Sequence, residues 1–362
     1  MSAGNGHWRP LAKPKAIDVF SGCGGTVEGL RGAGFRVLAA IEMDELAVKT
    51  FRANHKGVKV WHTDIADLTA KSLLEHHGLR RGELDLLTGC PPCQAFSALR
   101  RLNGSRRVRD KASKDLVFQY LKLVRALYPK VVLIENVPRL LNDYRFNEVR
   151  KRLRALGYVG QPQIFDAADF GVPQRRRRMI FVASRIGKIE YAAPSDPKKK
   201  TVREAIGALP KAGKSGDPLH DFAENRSTKV AALIAKIPKN GGSRLALGKR
   251  RQLACHKECD GFKDVYGRMA WNQVSPTITS GCVNPSKGRF LHPSQNRSIT
   301  LREAALLQGF PPHYSFALDR GKFAVALMIG NAFPPTLVKP HARKIRLHIG
   351  AVNRKRRRKR ST

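Results

Sequence analysis

AIDVFSGCGGTVEGLRGAG, residues 16–34, decides how the rest of the chain is read. Residues 16–20 form a short buried strand, SGCGG at 21–25 a glycine turn, and the following run a helix ending near Gly34. Glycines in such a turn let the chain reverse tightly and bring helix N-terminal amides up to an anionic ligand group. The turn lacks the full G-x-G-x-x-G spacing, so alone it could equally be a plain structural turn. Its surroundings add weight. A second strand, 37–41, ends in Glu42, about twenty residues beyond the first glycine, where an acid accepts bonds from ribose hydroxyls. A third strand, 58–61, ends near Asp64. Each acid could be a helix cap or a solvated loop residue, but together they describe an adenosine-type pocket on an open α/β sheet.

The fourth unit carries the chemistry. A leucine-rich run, 84–87, leads into GCPPCQAFS at 89–97, where Pro91 and Pro92 stiffen the backbone and remove two amide donors. Cys93 is thereby presented on a rigid turn beyond a strand end, where open α/β sheets bind ligands. A free cysteine is more often a small buried filler, but Gln94, Ser97 and the basic loop that follows (Arg100 to Lys114) are polar company. Cys90, three residues away, has no matching pair downstream, which argues against a metal site. The nucleophile reading leads.

Further on, a helical segment 116–127 precedes the strand 131–134, whose four aliphatic residues run straight into Glu135. DFGVPQRRRRM, 169–179, then feeds a strand at 179–183; if the arginines enter that strand, Arg176 and Arg178 share a face and point into one site.

Composition supplies the partner. The 362 residues carry 68 Lys and Arg against 28 Asp and Glu, a formal net charge of +40, which makes a polyanion the default ligand but leaves activity open. At 42% hydrophobic residues the chain can build a core. Six unevenly spaced cysteines do not resemble a disulfide framework, and a nucleophilic Cys93 needs a reducing compartment. There is no apolar stretch of spanning length and no signal-peptide pattern, so the expected location is cytoplasmic. From about 195 to 268 lysine, proline and glycine dominate and strand periodicity is poor, as in an inserted small domain. Cys255, His256 and Cys259 there lack the second pair that zinc spacing requires. Thr300 and Glu303 form a capping-box pattern, GNAFPP follows at 330–335, and the seven basic residues 354–360 read as a tail, disordered when free, that strengthens nucleic-acid binding without reading sequence.

Taken in order, DVFSGCGG, Glu42, Asp64, PPCQAFS, ENV at 135, QRRRR at 174, REAALLQGFP at 302 and GNAFPP resemble the conserved blocks of DNA cytosine-5 methyltransferases from residue 16 to about 340. The resemblance implies an α/β fold: a Rossmann-like S-adenosylmethionine-dependent methyltransferase sheet with a smaller target-recognition domain. It divides the chain into a flexible leader (1–14), a catalytic and cofactor-binding domain (15–194), a target-recognition region (195–290), a return to the catalytic domain (291–345) and a basic tail (346–362). It implies Cys93 as the nucleophile on cytosine carbon 6, Glu135 at ring nitrogen 3, and Arg176 and Arg178 as groups orienting the base. Phe20, Gly22, Gly24, Gly25, Glu42, Met43, Asp64, Ile65, Pro92 and Asn331 would hold S-adenosylmethionine, with Met43 where relatives often carry an aromatic residue. The implied substrate is double-stranded DNA with the target base flipped out, the implied setting restriction-modification or phage DNA modification with a separate endonuclease, and the implied state a monomer. Transfer RNA methylation by the same chemistry, and a nucleic-acid-binding relative without catalysis, are the other readings; the intact set of Cys93, Glu135 and both arginines argues against the last.

Overall fold

The computed structural model describes residues 12–92, 116–194, 198–222, 224–248 and 263–361, with side chains described as far as Arg354. Strands β1 (Lys15–Val19), β2 (Arg36–Glu42), β3 (Lys59–His62), β4 (Leu86–Gly89) and β5 (Val131–Asn136) are parallel; β6 (Val159–Asp166) and β7 (Arg177–Ser184) close one side antiparallel. The spatial order is β3-β2-β1-β4-β5-β7-β6. The order reverses between β1 and β4, so the crevice beyond their carboxyl ends is the place such a sheet offers a ligand.

Helices α1 (Gly25–Gly32), α2 (Glu45–Asn54), α3 (Ala70–His76), α4 (Leu116–Leu127) and α5 (Tyr144–Ala155) follow their strands. Alternation along the strands builds two cores. Ile17, Leu87, Val132 and Ile134 face α3, α4 and α5, whereas Ala16, Leu86, Val131 and Leu133 face α1 and α2.

The rest of the chain is irregular, with short helices α6 (Val202–Ile206), α7 (Thr228–Lys236) and α8 (Leu301–Leu307), then α9 (Gly321–Asn331) and α10 (Pro335–Ser361). The capping box of Thr300 and Glu303 forms as the sequence indicates. One small core, Leu233, Ile234, Ile237, Val265, Tyr266 and Leu291, holds the segments around α7 and residues 265–291 together. A larger one joins Val202, Met269, Ile278 and Phe290 to α8 and α9, so packing runs across residue 290 without a break. Where side chains are scarce, buried arginine serves as a strut: the Arg268 guanidinium donates to the carbonyls of Ile234, Ile237, His292 and Gln295. Such arginines are spent inside the protein and are not offered to a polyanion.

Helix α10 corrects one expectation. The basic run 354–360 is not a free tail; its backbone continues a helix whose earlier turns bury Leu337, Val338, Ala342, Ile345 and Ile349 against the sheet. Lysine and arginine are good helix formers, so an anchored helix extends through them at little cost.

Candidate active site

The glycine turn sits at the carboxyl end of β1. Phe20 has φ of 59°, Gly22 53° and Gly24 96°, three left-handed positions within five residues. A Cβ on Gly24 would lie 2.4 Å from His55 Nε2 and 2.8 Å from the Tyr314 hydroxyl, and one on Gly25 2.7 Å from the Phe333 carbonyl. The turn is therefore packed from behind by α2 and by the late GNAFPP segment. Tyr314 donates to the Cys23 carbonyl at 2.5 Å and meets His55 Nε2 at 2.9 Å. Burial, then Arg31, lowers the His55 pKa to about 4, so the ring is neutral.

Glu42 ties this turn to the next strand. One carboxylate oxygen accepts from the Gly22 amide at 2.7 Å, the other from the Met43 and Asp44 amides at 2.9 Å each. Met43 itself is 64% exposed. Asp64 accepts from the Ala66 amide at 2.9 Å, Ile65 is buried in the core, and Pro92 and Asn331 are exposed, Asn331 as the last residue of α9.

On the other side of the crevice, Glu135 lies within β5 and pairs with Arg178 of β7 at 2.9 Å, both side chains nearly enclosed. Asn136 donates to the Pro91 carbonyl at 2.8 Å, which pins the chain two residues before Cys93 against the end of β5. Cys93, Gln94 and Ser97 lie outside the described residues, as do Cys255, His256 and Cys259. Tyr120 presses on Gly89, where a Cβ would meet its ring at 2.6 Å, so the strand end before that loop is firmly seated. Cys90 is a thiol, not a thiolate: burial first, then Glu135, push its pKa well above the usual value, and it hydrogen-bonds Glu135.

Arg176 does not share the site of Arg178. Strand β7 starts at Arg177, so the two-residue repeat does not reach back to Arg176. Its buried guanidinium donates to the carbonyls of Ile278, Gly330 and Ala332. Gln174 reinforces the same seam, donating to the Leu307 carbonyl and to Gln308 while accepting from the Ile278 amide. This seam sews the arginine block, the SPTIT segment and the GNAFPP segment together.

Sequence reading gave Asp18 no role. It is wholly buried behind the glycine turn, accepts from Thr88 on the paired strand at 2.5 Å, and leaves its second oxygen without a hydrogen-bond partner. Burial drives its pKa up to about 7, the hydrogen bond from Thr88 offsets part of that, and Glu42 adds to the rise. A lone acid inside an otherwise apolar strand was the available signal. His55 and Tyr314, which brace the turn, lie 259 residues apart in sequence and carried none.

These residues fit an adenosine-bearing cofactor with a cationic reacting centre. Among the described residues, the space over Gly22 is open and no side chain caps the α1 N-terminus, and Glu42 is held with acceptor capacity to spare.

Comparison with known proteins gives the same assignment. The C-5 cytosine-specific DNA methylase family matches residues 14–346. Type II methylase M.HgiDII of Herpetosiphon aurantiacus is 32% identical, covering 94% of this chain and 97% of its own length. Type II methyltransferase M1.HphI of Haemophilus parahaemolyticus is 33% identical, covering 91% and 86%. A solved Escherichia coli structure, described as a DNA modification methyltransferase encoded within a prophage, superposes with a TM-score of 0.68 at 25% identity over 93% of this chain and 100% of that one. The seven-stranded sheet, the glycine turn linked to Glu42, the Glu135–Arg178 pair and this likeness along the whole chain lead to one conclusion: the chain belongs to the C-5 cytosine-specific DNA methylase family and is a DNA cytosine-5 methyltransferase.

Proposed function

We propose that the chain methylates carbon 5 of a flipped-out cytosine within a specific duplex sequence, using Cys93 as nucleophile and S-adenosylmethionine as cofactor. The pairing of Glu135 with Arg178 carries this reading, because it sets a carboxyl group and a guanidinium at the end of β5 where Asn136 holds Pro91, two residues before Cys93 in sequence.

Carbon 5 of cytosine is a poor nucleophile. Bond formation between the Cys93 sulfur and carbon 6 makes the ring an enamine, and Glu135 holds nitrogen 3 while the charge shifts. Arg178 keeps Glu135 aimed. The cofactor supplies an electrophilic methyl group on a sulfonium. Loss of the carbon 5 proton then breaks the sulfur–carbon 6 bond and restores Cys93. Phe20, Gly22, Gly24, Gly25 and Glu42 hold the nucleoside and methionine ends, Asp64 and Ile65 the adenine edge, with Met43, Pro92 and Asn331 at the rim. Arg176 acts as a positioning residue for the segments that close the pocket. Restriction-modification or phage modification, a separately acting endonuclease, a monomer and a cytoplasmic location complete the reading.

Methyl transfer from labelled S-adenosylmethionine to unmodified plasmid DNA and to transfer RNA tests it, with Cys93→Ser beside the native chain and sequencing of the 5-methylcytosine. Label in DNA at one short repeated sequence, silent in Cys93→Ser, is the expected result. Label in transfer RNA alone overturns it.

A further inference from the structure

The sheet has a second charged edge that catalysis does not use. The parallel strands begin at its amino-terminal edge, and there Lys13, Arg36, Lys59, Arg80 and Arg81 are exposed. Arg36 opens β2 and Lys59 opens β3, on directly paired parallel strands. Among the acids at this edge, Glu83 is held by Arg80 and Asp85 by Lys130, and Glu190 is exposed.

Helix α10 adds to the same edge. It starts beside the glycine turn, where the Phe333 carbonyl faces Gly25, passes Gly34 at Arg346, and reaches His348, whose Nε2 lies 2.9 Å from Ser184 Oγ. Ser184 pairs with Val131, the first residue of β5, so the helix has there crossed the sheet from carboxyl to amino edge. Ile349 is its last core residue, and Arg354–Arg360 follow. At 1.5 Å per residue, Arg354 stands about 28 Å along the helix from Pro335. That is several times the Debye length of about 8 Å at physiological salt. A duplex lying on the catalytic edge is out of electrostatic reach, and bending it round costs several kcal/mol.

We propose that the amino-terminal edge and the basic end of α10 form a second duplex-binding surface, which holds a DNA segment other than the one being methylated. It reads no sequence, because phosphate contacts position without specifying. The inference rests on duplex DNA being the substrate.

Two 30-base-pair duplexes, one with a donor dye and one with an acceptor, test it by energy transfer on protein whose sedimentation mass is one protomer. Two variants accompany the native chain: residues 354–360 all changed to Gln, and Arg36→Gln with Lys59→Gln and Arg81→Gln. The native chain brings the two duplexes together; both variants lose the transfer yet keep the native rate on plasmid DNA. Losing seven phosphate-neutralising charges makes the salt-dependence slope of the second binding step shallower by about 6. One duplex per protomer, transfer only from a dimer, or variants that transfer as well as the native chain, each overturn the proposal. Absence of methyl transfer to plasmid DNA by the native chain would instead mark failure of the substrate reading.

Discussion

The Arg178 guanidinium meets the Glu135 carboxylate at 2.9 Å, with the two side chains only 14% and 7% exposed, at the point where β5 and β7 reach the catalytic crevice. A pair this enclosed is costly to break from one side, because the partner is left as an uncompensated charge. Arg178→Ala is therefore expected to lower stability by about 3–5 kcal/mol in denaturant unfolding and to abolish measurable methyl transfer. Glu135→Gln also leaves Arg178 without its counter-charge, but the amide oxygen can still accept from the guanidinium; it should lose less stability than Arg178→Ala, bind DNA and fail to turn over.

Gly24 combines φ of 96° with a neighbour 2.4 Å from any added Cβ. Gly24→Ala is thus expected to cost about 1–3 kcal/mol in backbone strain, more if His55 cannot yield, and to weaken S-adenosylmethionine binding in calorimetry at least tenfold. Tyr314→Phe, which loses the hydrogen bond to Cys23 without adding bulk, should show the weaker binding with a smaller loss of stability.

Asp18 makes stability depend on pH in an unusual direction. Its folded pKa, about 7, lies above the ordinary 3.8, so the folded protein holds the proton longer than the unfolded chain, and stability falls as pH rises from about 4 to about 7. The buried histidines His55, His292 and His341, each lowered to about 4 chiefly by burial, act oppositely: the unfolded chain takes up their protons first, and stability is lost as pH falls from 6.5 towards 4. Asp18→Asn should come nearest the native chain at pH 4 or below and melt progressively higher above that, most at pH 8. A melting curve at each pH decides it; a variant less stable at pH 8 would mean that the ionised acid has a partner.

Arg268 separates structural charge from DNA-binding charge. Arg268→Ala leaves four main-chain carbonyls without their donor. Limited proteolysis should then cut between residues 230 and 295 while S-adenosylmethionine binding persists. DNA affinity should drop with no change in its salt dependence, since no phosphate contact is removed.

Much of the sheet was legible because a parallel strand buried on both faces reads as a largely apolar run, as β2 and β5 do, and as β1 and β4 do apart from Asp18 and Thr88. The acids that end or follow these runs marked the crevice. Strand β6 was not legible. It lies at the sheet edge, largely exposed, and contains Gly160 and Pro162, which argue against a strand but are tolerated where one side lacks a partner. The site was legible where chemistry is local, as at Glu135 and Glu42, and illegible where it depends on meetings between distant segments. Arg176 shows the difference: its neighbour Arg178 suggested a shared direction, and only the position of the strand start sends it to Ile278, Gly330 and Ala332.

Helix α10 lies on α1, far earlier in the sequence, and fills the core on that face of the sheet. A chain still emerging from the ribosome cannot complete that face until Ile345 and Ile349 are available, and a message cut short before them yields protein with an open core. Products cut short before these residues should therefore be cleared by proteases and not persist as partly working enzymes.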